Sequence, residues 1–241
     1  MPDNIEPENS TTTLPCCSGG LCREDWHRHP IHLGIFFLVV IAVQVMDLLL
    51  TMRVEIIGEG TGAADRTLSV IGDLTDALFI VGLIAVGVEF LRRRFSASRT
   101  SNSRTTLIIL ASYLFVASLN VVVNMITLVV AEKLANASQN GLIIDLGLLF
   151  ASNMLVFSLW YQLADAYLKG GAFDFPRDEA NPDDAPRWID YLFLSFNTQT
   201  TFGPTVEGIR TRPVKVLMML QTSLSLIVLV VLVARIIVAP S

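Results

Sequence analysis

The sequence predicts an all-α integral membrane protein with five transmembrane helices and a re-entrant, pore-like half-helix before the last span. Hydrophobic residues make up 52% of the 241 residues and charged residues only 16%, whereas a soluble domain carries about 25% charged residues. The hydrophobic residues fall in five long blocks, each long enough to cross the roughly 30 Å hydrocarbon core of a bilayer. A sixth apolar segment is too short to cross it and precedes the last block.

The first three blocks form a three-helix membrane region at residues 29–135, after a polar tail. Residues 1–28 are rich in Pro, Ser, Thr and Gly, which predicts a disordered N-terminal tail. The predicted spans cover residues 31–51, 74–91 and 105–130. Between the first two spans, residues 52–72 contain several glycines and charges and predict a loop.

All the cysteines and histidines lie in or beside the tail: Cys16, Cys17, Cys22, His27, His29 and His32. These residue types bind zinc, but their spacing matches no standard zinc pattern, and adjacent cysteines fit poorly around one tetrahedral centre. We therefore interpret them as free thiols and as histidines at the membrane boundary. No metal site and no cofactor are predicted.

Residues 136–241 hold a fourth span at 142–167, the short segment at 186–200 and a last span at 213–238. The short segment has room for a helix of about 22 Å at 1.5 Å per residue, so it is either a buried core helix or a re-entrant helix. The five flanking spans favour re-entry. Acidic residues precede it and either concentrate cations at a mouth or simply solvate a loop. They are Asp174, Asp178, Glu179, Asp183 and Asp184.

Polar side chains interrupt the spans at a few positions. Gln44 and Asp47 share one face of the first span, and Asn120 and Asn124 share one face of the third. An ionised carboxylate within a span costs at least about 2.5 kcal/mol, so Asp47 is expected to face the bundle interior. These residues form either an ion or proton path or interhelical hydrogen bonds. Asp145, near the start of the fourth span, is expected at the membrane interface.

The basic residues predict the orientation in a cell (inner) membrane. Thirteen of the 17 lie on the side that carries the N-terminal tail, the loop after the second span and the loop around the short segment. The other side holds Arg53, Arg66, Lys133 and Arg235. The positive-inside rule then places the N-terminus in the cytoplasm, and the short segment enters from the cytoplasmic face. Because the basic residues flank apolar blocks and form no phosphate-binding face, nucleic acid is not an expected partner.

The short segment resembles the pore helix and filter of the two-transmembrane potassium channel module. Tyr191, Phe193 and Ser195 match the pore-helix pattern, and the Thr-Gln-Thr-Thr-Phe-Gly run at 198–203 matches the approach to a filter. The resemblance implies a pore loop that ends in a constriction, formed in a tetramer because one chain supplies only one loop.

The residues that close the segment depart from the potassium filter. Pro204 stands where that family has tyrosine, Thr205 where it has the second glycine and Val206 where it has aspartate. Proline has no amide N–H to hold a filter from behind, and threonine reaches the glycine conformation only at a cost. The sequence therefore predicts a degenerate, non-potassium filter.

A second resemblance covers about the last 100 residues. Gly171-Ala-Phe-Asp-Phe-Pro176 followed by Asp190-Tyr-Leu-Phe-Leu-Ser-Phe196 is similar to a paired motif, Gly-x-x-Asp-Phe-Pro before Asp-Phe-x-Tyr-Phe-Ser-Phe. The pair is found in a bacterial family of membrane proteins of unknown function. The C-terminal part of that family in turn looks like the channel module, so this resemblance implies the same layout.

Two functions follow as expectations. The first is an ion channel, cation-conducting and homo-oligomeric, whose constriction is formed by Thr200, Thr201, Phe202 and Gly203, with Thr198 and Gln199 as further filter-like residues. The second is a non-conducting multi-pass membrane protein, a small transporter or an assembly subunit, in which these Thr and Gln side chains pack on neighbouring helices of the same chain. An enzyme is not expected, because the sequence contains no nucleotide-binding glycine loop, zinc-protease helix or nucleophile elbow. The expected partners are the lipid bilayer and inorganic cations.

Overall fold

The computed structural model describes residues 33–56, 63–95, 103–130, 139–168, 170–175, 186–200 and 207–238. Within these residues the chain forms six helices and one two-stranded antiparallel sheet. The helices are α1 (Leu33–Ile56), α2 (Ala63–Phe95), α3 (Ser103–Val130), α4 (Gln139–Tyr167), α5 (Trp188–Gln199) and α6 (Arg212–Val238), and the strands are β1 (Phe173–Asp174) and β2 (Gly208–Ile209). All the helices except α5 are long and apolar enough to cross a membrane. The prediction of an all-α, multi-pass membrane protein is confirmed at this level.

Several predicted features lie outside the described residues. They are the tail at 1–28 with its cysteines, the histidines up to His32, the acidic residues from Asp178 to Asp184, and Thr201, Phe202 and Gly203 of the pore-like segment.

The predicted loop between the first two spans was too long. α1 continues to Ile56, and α2 begins at Ala63, eleven residues before the apolar block that predicted it. Hydropathy marks only the part of a helix that suits lipid, whereas the backbone hydrogen bonds continue into polar sequence. Just after this extension the Thr75 hydroxyl donates to the carbonyls of Ile71 and Gly72, so a β-branched polar residue is accommodated within the helix.

Helix α4 is the centre of the bundle. In the apolar stretch of α4 that is long enough to cross a membrane, 56% of the residues are buried inside the protein. The corresponding share is 17% for α2, which lies at the edge of the bundle. It packs against α1 and α3 on one side and against α5 and α6 on the other. The helices of residues 29–135 and of residues 136–241 therefore pack directly against each other, and α4 contributes to both polar clusters described below.

Two ion-paired clusters tie helix ends together. The Arg53 side chain donates to the Asp145 carboxylate at 2.5 Å, which joins the end of α1 to the start of α4. At the other side of the bundle Glu89, near the end of α2, accepts from Thr106 of α3 at 2.6 Å and pairs with Arg92 and Arg93. These ties require α1 and α4 to be antiparallel, and likewise α2 and α3.

Asp145 is buried among the helices near the start of α4. The residue is only 1% exposed. Burial of a carboxylate is tolerated here because Arg53 supplies the opposite charge at hydrogen-bond distance.

The turn after α4 is clamped by one carboxylate. Asp165 Oδ1 accepts the backbone N–H groups of Ala172 and Phe173 at 2.6 and 3.1 Å, and Asp165 Oδ2 accepts the hydroxyl of Tyr191 from α5 at 2.6 Å. Gly171 lies directly against this carboxylate with a φ of +76°, and a Cβ there would lie 3.2 Å from Asp165 Oδ1. A glycine is needed for both reasons.

The Gly-Ala-Phe-Asp-Phe segment therefore has a structural explanation. Phe173 and Phe175 pack against the Tyr191 ring, with ring centroids 6.5 and 5.3 Å from it. Asp174 pairs with Arg210 at 2.7 Å across the β1–β2 sheet, where both side chains are exposed. The motif fixes the start of α5 to the end of α4 and to the chain just before α6.

We predict that Asp165→Ala lowers the free energy of unfolding by about 3 kcal/mol, because it leaves two buried N–H groups and a buried hydroxyl without their acceptor. Equilibrium unfolding in detergent measures this change. Asp174→Ala is the matched control, and it should cost less than about 1 kcal/mol because exposed ion pairs contribute little. Equal losses in the two variants would contradict the clamp.

Candidate functional site

The short helix α5 is amphipathic: it forms a buried polar interface with its neighbours and exposes an apolar face. Its first turn carries Asp190, whose carboxylate accepts the N–H of Arg187 at 2.7 Å, a favourable position for a negative charge at a helix N-terminus. One face is buried against α4 and α6, and the opposite face exposes Ile189, Phe193 and Phe196. At 12 residues the helix is about 18 Å long, which is too short to cross the roughly 30 Å core of a bilayer.

The polar residues at the end of α5 are bonded within the chain. Gln199 is buried, and its Nε2 donates to the Phe150 carbonyl of α4 at 2.7 Å. Thr198 is buried as well; its hydroxyl donates to Leu194 of its own helix at 2.8 Å, and its carbonyl accepts the hydroxyl of Thr222 of α6 at 3.4 Å. Two of the six predicted filter-like residues thus contact neighbouring helices of the same chain.

Thr200 lies at the boundary of the described segment. Its hydroxyl donates to the Phe196 carbonyl at 2.9 Å, and the side chain is half-buried. It ends α5 by bonding back onto the last turn, and the rest of the predicted constriction continues beyond the described residues.

Gln221 of α6 is the centre of this polar interface. Its side chain is fully buried; its Oε1 accepts the hydroxyl of Tyr161 from α4 at 2.5 Å. Its Nε2 lies within hydrogen-bond distance of the Ser195 hydroxyl at 2.8 Å, the Ser195 carbonyl at 3.0 Å and Gln199 Oε1 at 3.2 Å. The side-chain amide of Gln221 therefore connects α6 to both α4 and α5. The sequence signal was a lone glutamine in the last apolar block, and we did not single it out.

Neighbouring turns of α4 extend the interface. Asn153 Nδ2 donates to Ser225 Oγ of α6 at 3.3 Å, and Ser195 Oγ of α5 donates to the Met154 carbonyl at 2.7 Å. The Asn153 contact is thus an interhelical hydrogen bond between α4 and α6.

A second polar cluster surrounds Asp47 on the other side of α4. Asp47 is 5% exposed, and its Oδ1 accepts the Asn124 amide at 2.8 Å. Asn120, one turn earlier in α3, lies close to this carboxylate. The structure thus brings together the three intramembrane residues that the sequence singled out, and Asp47 faces the bundle interior as predicted.

Polar atoms near Asp47 are incompletely bonded. Four side-chain oxygens are buried and have no hydrogen-bond partner within the described parts of the chain: Gln44 Oε1, Tyr113 Oη, Asn120 Oδ1 and Ser152 Oγ. Two of these residues, Asn120 and Ser152, line a small cavity together with Asp47. We did not predict Ser152 or Tyr113, because the sequence does not show which residues pack around a single hydroxyl in an apolar span.

The electrostatics of this cluster are negative. The Asp76 carboxylate on α2 is close enough to Asp47 for their charges to repel. The nearest basic residue along α1 is Arg53, six residues further on, and its charge is matched by Asp145. The cluster therefore attracts a positive charge.

Comparisons of the chain with protein-family models, with curated proteins and with solved structures find no match. Within the described ranges no group of three or more His, Cys, Asp or Glu residues is placed to hold a metal ion. The site must therefore be interpreted from its own geometry.

We predict that Gln221→Leu lowers the free energy of unfolding by about 2 kcal/mol. It removes up to three hydrogen bonds, two from the amide N–H groups and one to the amide oxygen, and those between membrane helices average about 0.6 kcal/mol each. Thermal and denaturant unfolding in detergent measures the loss. Ser223→Ala, also on α6, is the control: its hydroxyl donates only to Met219 of the same helix and its removal should have little effect. If Gln221→Leu is as stable as the wild type, Gln221 does not hold α5 in place.

Proposed function

We propose that this protein is a small cation transporter that works as a single helix bundle, with α5 as a re-entrant helix inside it. The observation that carries the proposal is the hydrogen bonding of Thr198 and Gln199 to α4 and α6 of the same chain. Half-length helices that end inside a membrane protein commonly form substrate and ion sites at the bilayer midplane. The helix enters from the cytoplasmic side of a cell (inner) membrane by the basic-residue count.

The side-chain directions favour a transporter over a symmetric pore. In an oligomeric pore the residues at the end of the pore helix face an open axis shared between chains. Here the Gln199 amide is engaged on both its nitrogen and its oxygen, by Phe150 and Gln221. Turning it toward an axis would leave buried partners unsatisfied, which is costly in a medium without water.

A buried carboxylate supports a cation as the substrate. Asp47 lies in the interior of the bundle, beside two asparagines and within electrostatic range of Asp76. Ionisable residues in that position generally mark ion or proton pathways, because their burial is unfavourable and is seldom retained without a function. The path would then lie between helices of one chain.

A homo-oligomeric cation channel is the second candidate. It is favoured by the order of the elements, a short helix and a Thr-rich segment before the final span, and by the exposed apolar face of α5 at Phe193 and Phe196. In that case the constriction would be formed by Thr201, Phe202 and Gly203 of several chains.

Cation flux in proteoliposomes separates the two candidates. For the transporter, we expect wild-type flux that falls at least about tenfold in Asp47→Asn and is little changed in Gly203→Val. For the channel, Gly203→Val should abolish flux by filling the constriction, and Asp47→Asn should leave it intact. Native mass spectrometry from lipid gives the oligomeric state, and a strict monomer excludes the channel. Absence of flux under every gradient would refute both candidates and favour an assembly subunit.

A further inference from the structure

We propose that Asp47, Asn120 and Ser152 form a binding site for one dehydrated sodium ion between α1, α3 and α4. The inference rests on the proposed transporter function and deepens it by naming the ion. The three residues come from three different helices, and all of them line one cavity in the apolar part of the bundle. Binding would therefore fasten these helices to one another at a single point.

The cavity has the size of one small ion. Its volume is about 10 Å³, which is about the space that one water-sized sphere requires. Phe79 of α2 and Leu149 of α4 are among its apolar walls. An ion at this place cannot keep a hydration shell and must be bound by protein oxygens.

The required oxygens are present and unused. Asn120 and Ser152 are 2% and 4% exposed, and Asn120 Oδ1 and Ser152 Oγ have no hydrogen-bond partner among the residues with a described structure. The Asp47 carboxylate accepts one hydrogen bond, from the Asn124 amide, and keeps lone pairs for a cation. Carboxylate, amide and hydroxyl oxygens are the ligands that hard cations prefer. A bound cation would satisfy oxygens whose burial is otherwise unfavourable.

The charge and the space select sodium. A single carboxylate lines the cavity, so one positive charge neutralises it, and Asp76 on α2 adds attraction from a greater distance. Calcium carries two positive charges, and the single carboxylate in the lining would leave one of them uncompensated within the cavity. Potassium is larger and holds the same oxygens further apart. Arg53 does not oppose the ion strongly, because it lies about 9 Å further along α1 and is paired with Asp145.

Ion-dependent stability of the purified full-length protein tests the site. The protein is melted in detergent in sodium, potassium or choline chloride at equal ionic strength, and sodium binding is measured with radioactive sodium. We expect a saturable stabilisation by sodium that potassium and choline do not reproduce. Asp47→Asn should weaken sodium binding about 100-fold or more and Ser152→Ala at least about tenfold. Ser158→Ala is the control on the same helix, because its hydroxyl is buried but donates to Leu155 within α4.

The outcomes separate the ion from the transport function. Equal melting of the wild type in all three salts, or an unchanged sodium response in Asp47→Asn, would overturn the site. A response to pH instead of sodium that disappears in Asp47→Asn would also overturn it, because the carboxylate would then bind a proton. If Asp47→Asn does not fold, loss of binding in Ser152→Ala with retained binding in Ser158→Ala still supports the site. Sodium binding without flux would refute the transporter and support the site. Cation flux without sodium binding would support the transporter and refute the site.

Discussion

The absence of hydrogen-bond partners in lipid is the constraint on which this structure depends. Every polar group that enters the apolar part of a membrane must be satisfied inside the protein. In this chain the requirement is met mainly around α4, which contributes Tyr161 and Asn153 toward α6 and Asp165 toward α5. Because α4 also carries Ser152 on its other side, one helix connects the two polar clusters and fixes how far apart they lie.

The short helix α5 is held at its two ends by different kinds of interaction. At its start the Asp165 carboxylate and an aromatic cluster hold Tyr191. At its end the amides of Gln199 and Gln221 connect it to α4 and α6. A helix fixed in this way has little freedom to swing as a whole, so any change of access in a transport cycle would have to come from the helices around it.

Hydropathy was enough to predict the membrane architecture. The predicted bounds of α3, α4 and α6 lie within a few residues of those observed, because the apolar blocks and the helices end together. The start of α2 was missed because helical hydrogen bonds do not depend on hydropathy. The two-residue strands β1 and β2 were missed because two residues are too short to show a pattern.

Only some residues of the polar sites could be predicted from the sequence. Spacing within one helix placed Asn120 and Asn124 on a common face, but it contained no information about which helix that face would meet. Asp47 was recognisable alone, since a carboxylate in a span is rare. Ser152 and Gln221 were not, because a single hydroxyl or amide in an apolar span is common and becomes significant only through its neighbours in three dimensions.

The Arg53–Asp145 ion pair has a consequence for biosynthesis. Its partners are 92 residues apart in the chain, so at synthesis rates of about 5–20 residues per second Arg53 leaves the ribosome roughly 5–20 s before Asp145. During that interval the end of α1 carries a charge without its final partner beside the membrane. The pair can close only when α4 has been inserted in the opposite direction. Its formation therefore reports that α4 lies antiparallel to α1 and beside it.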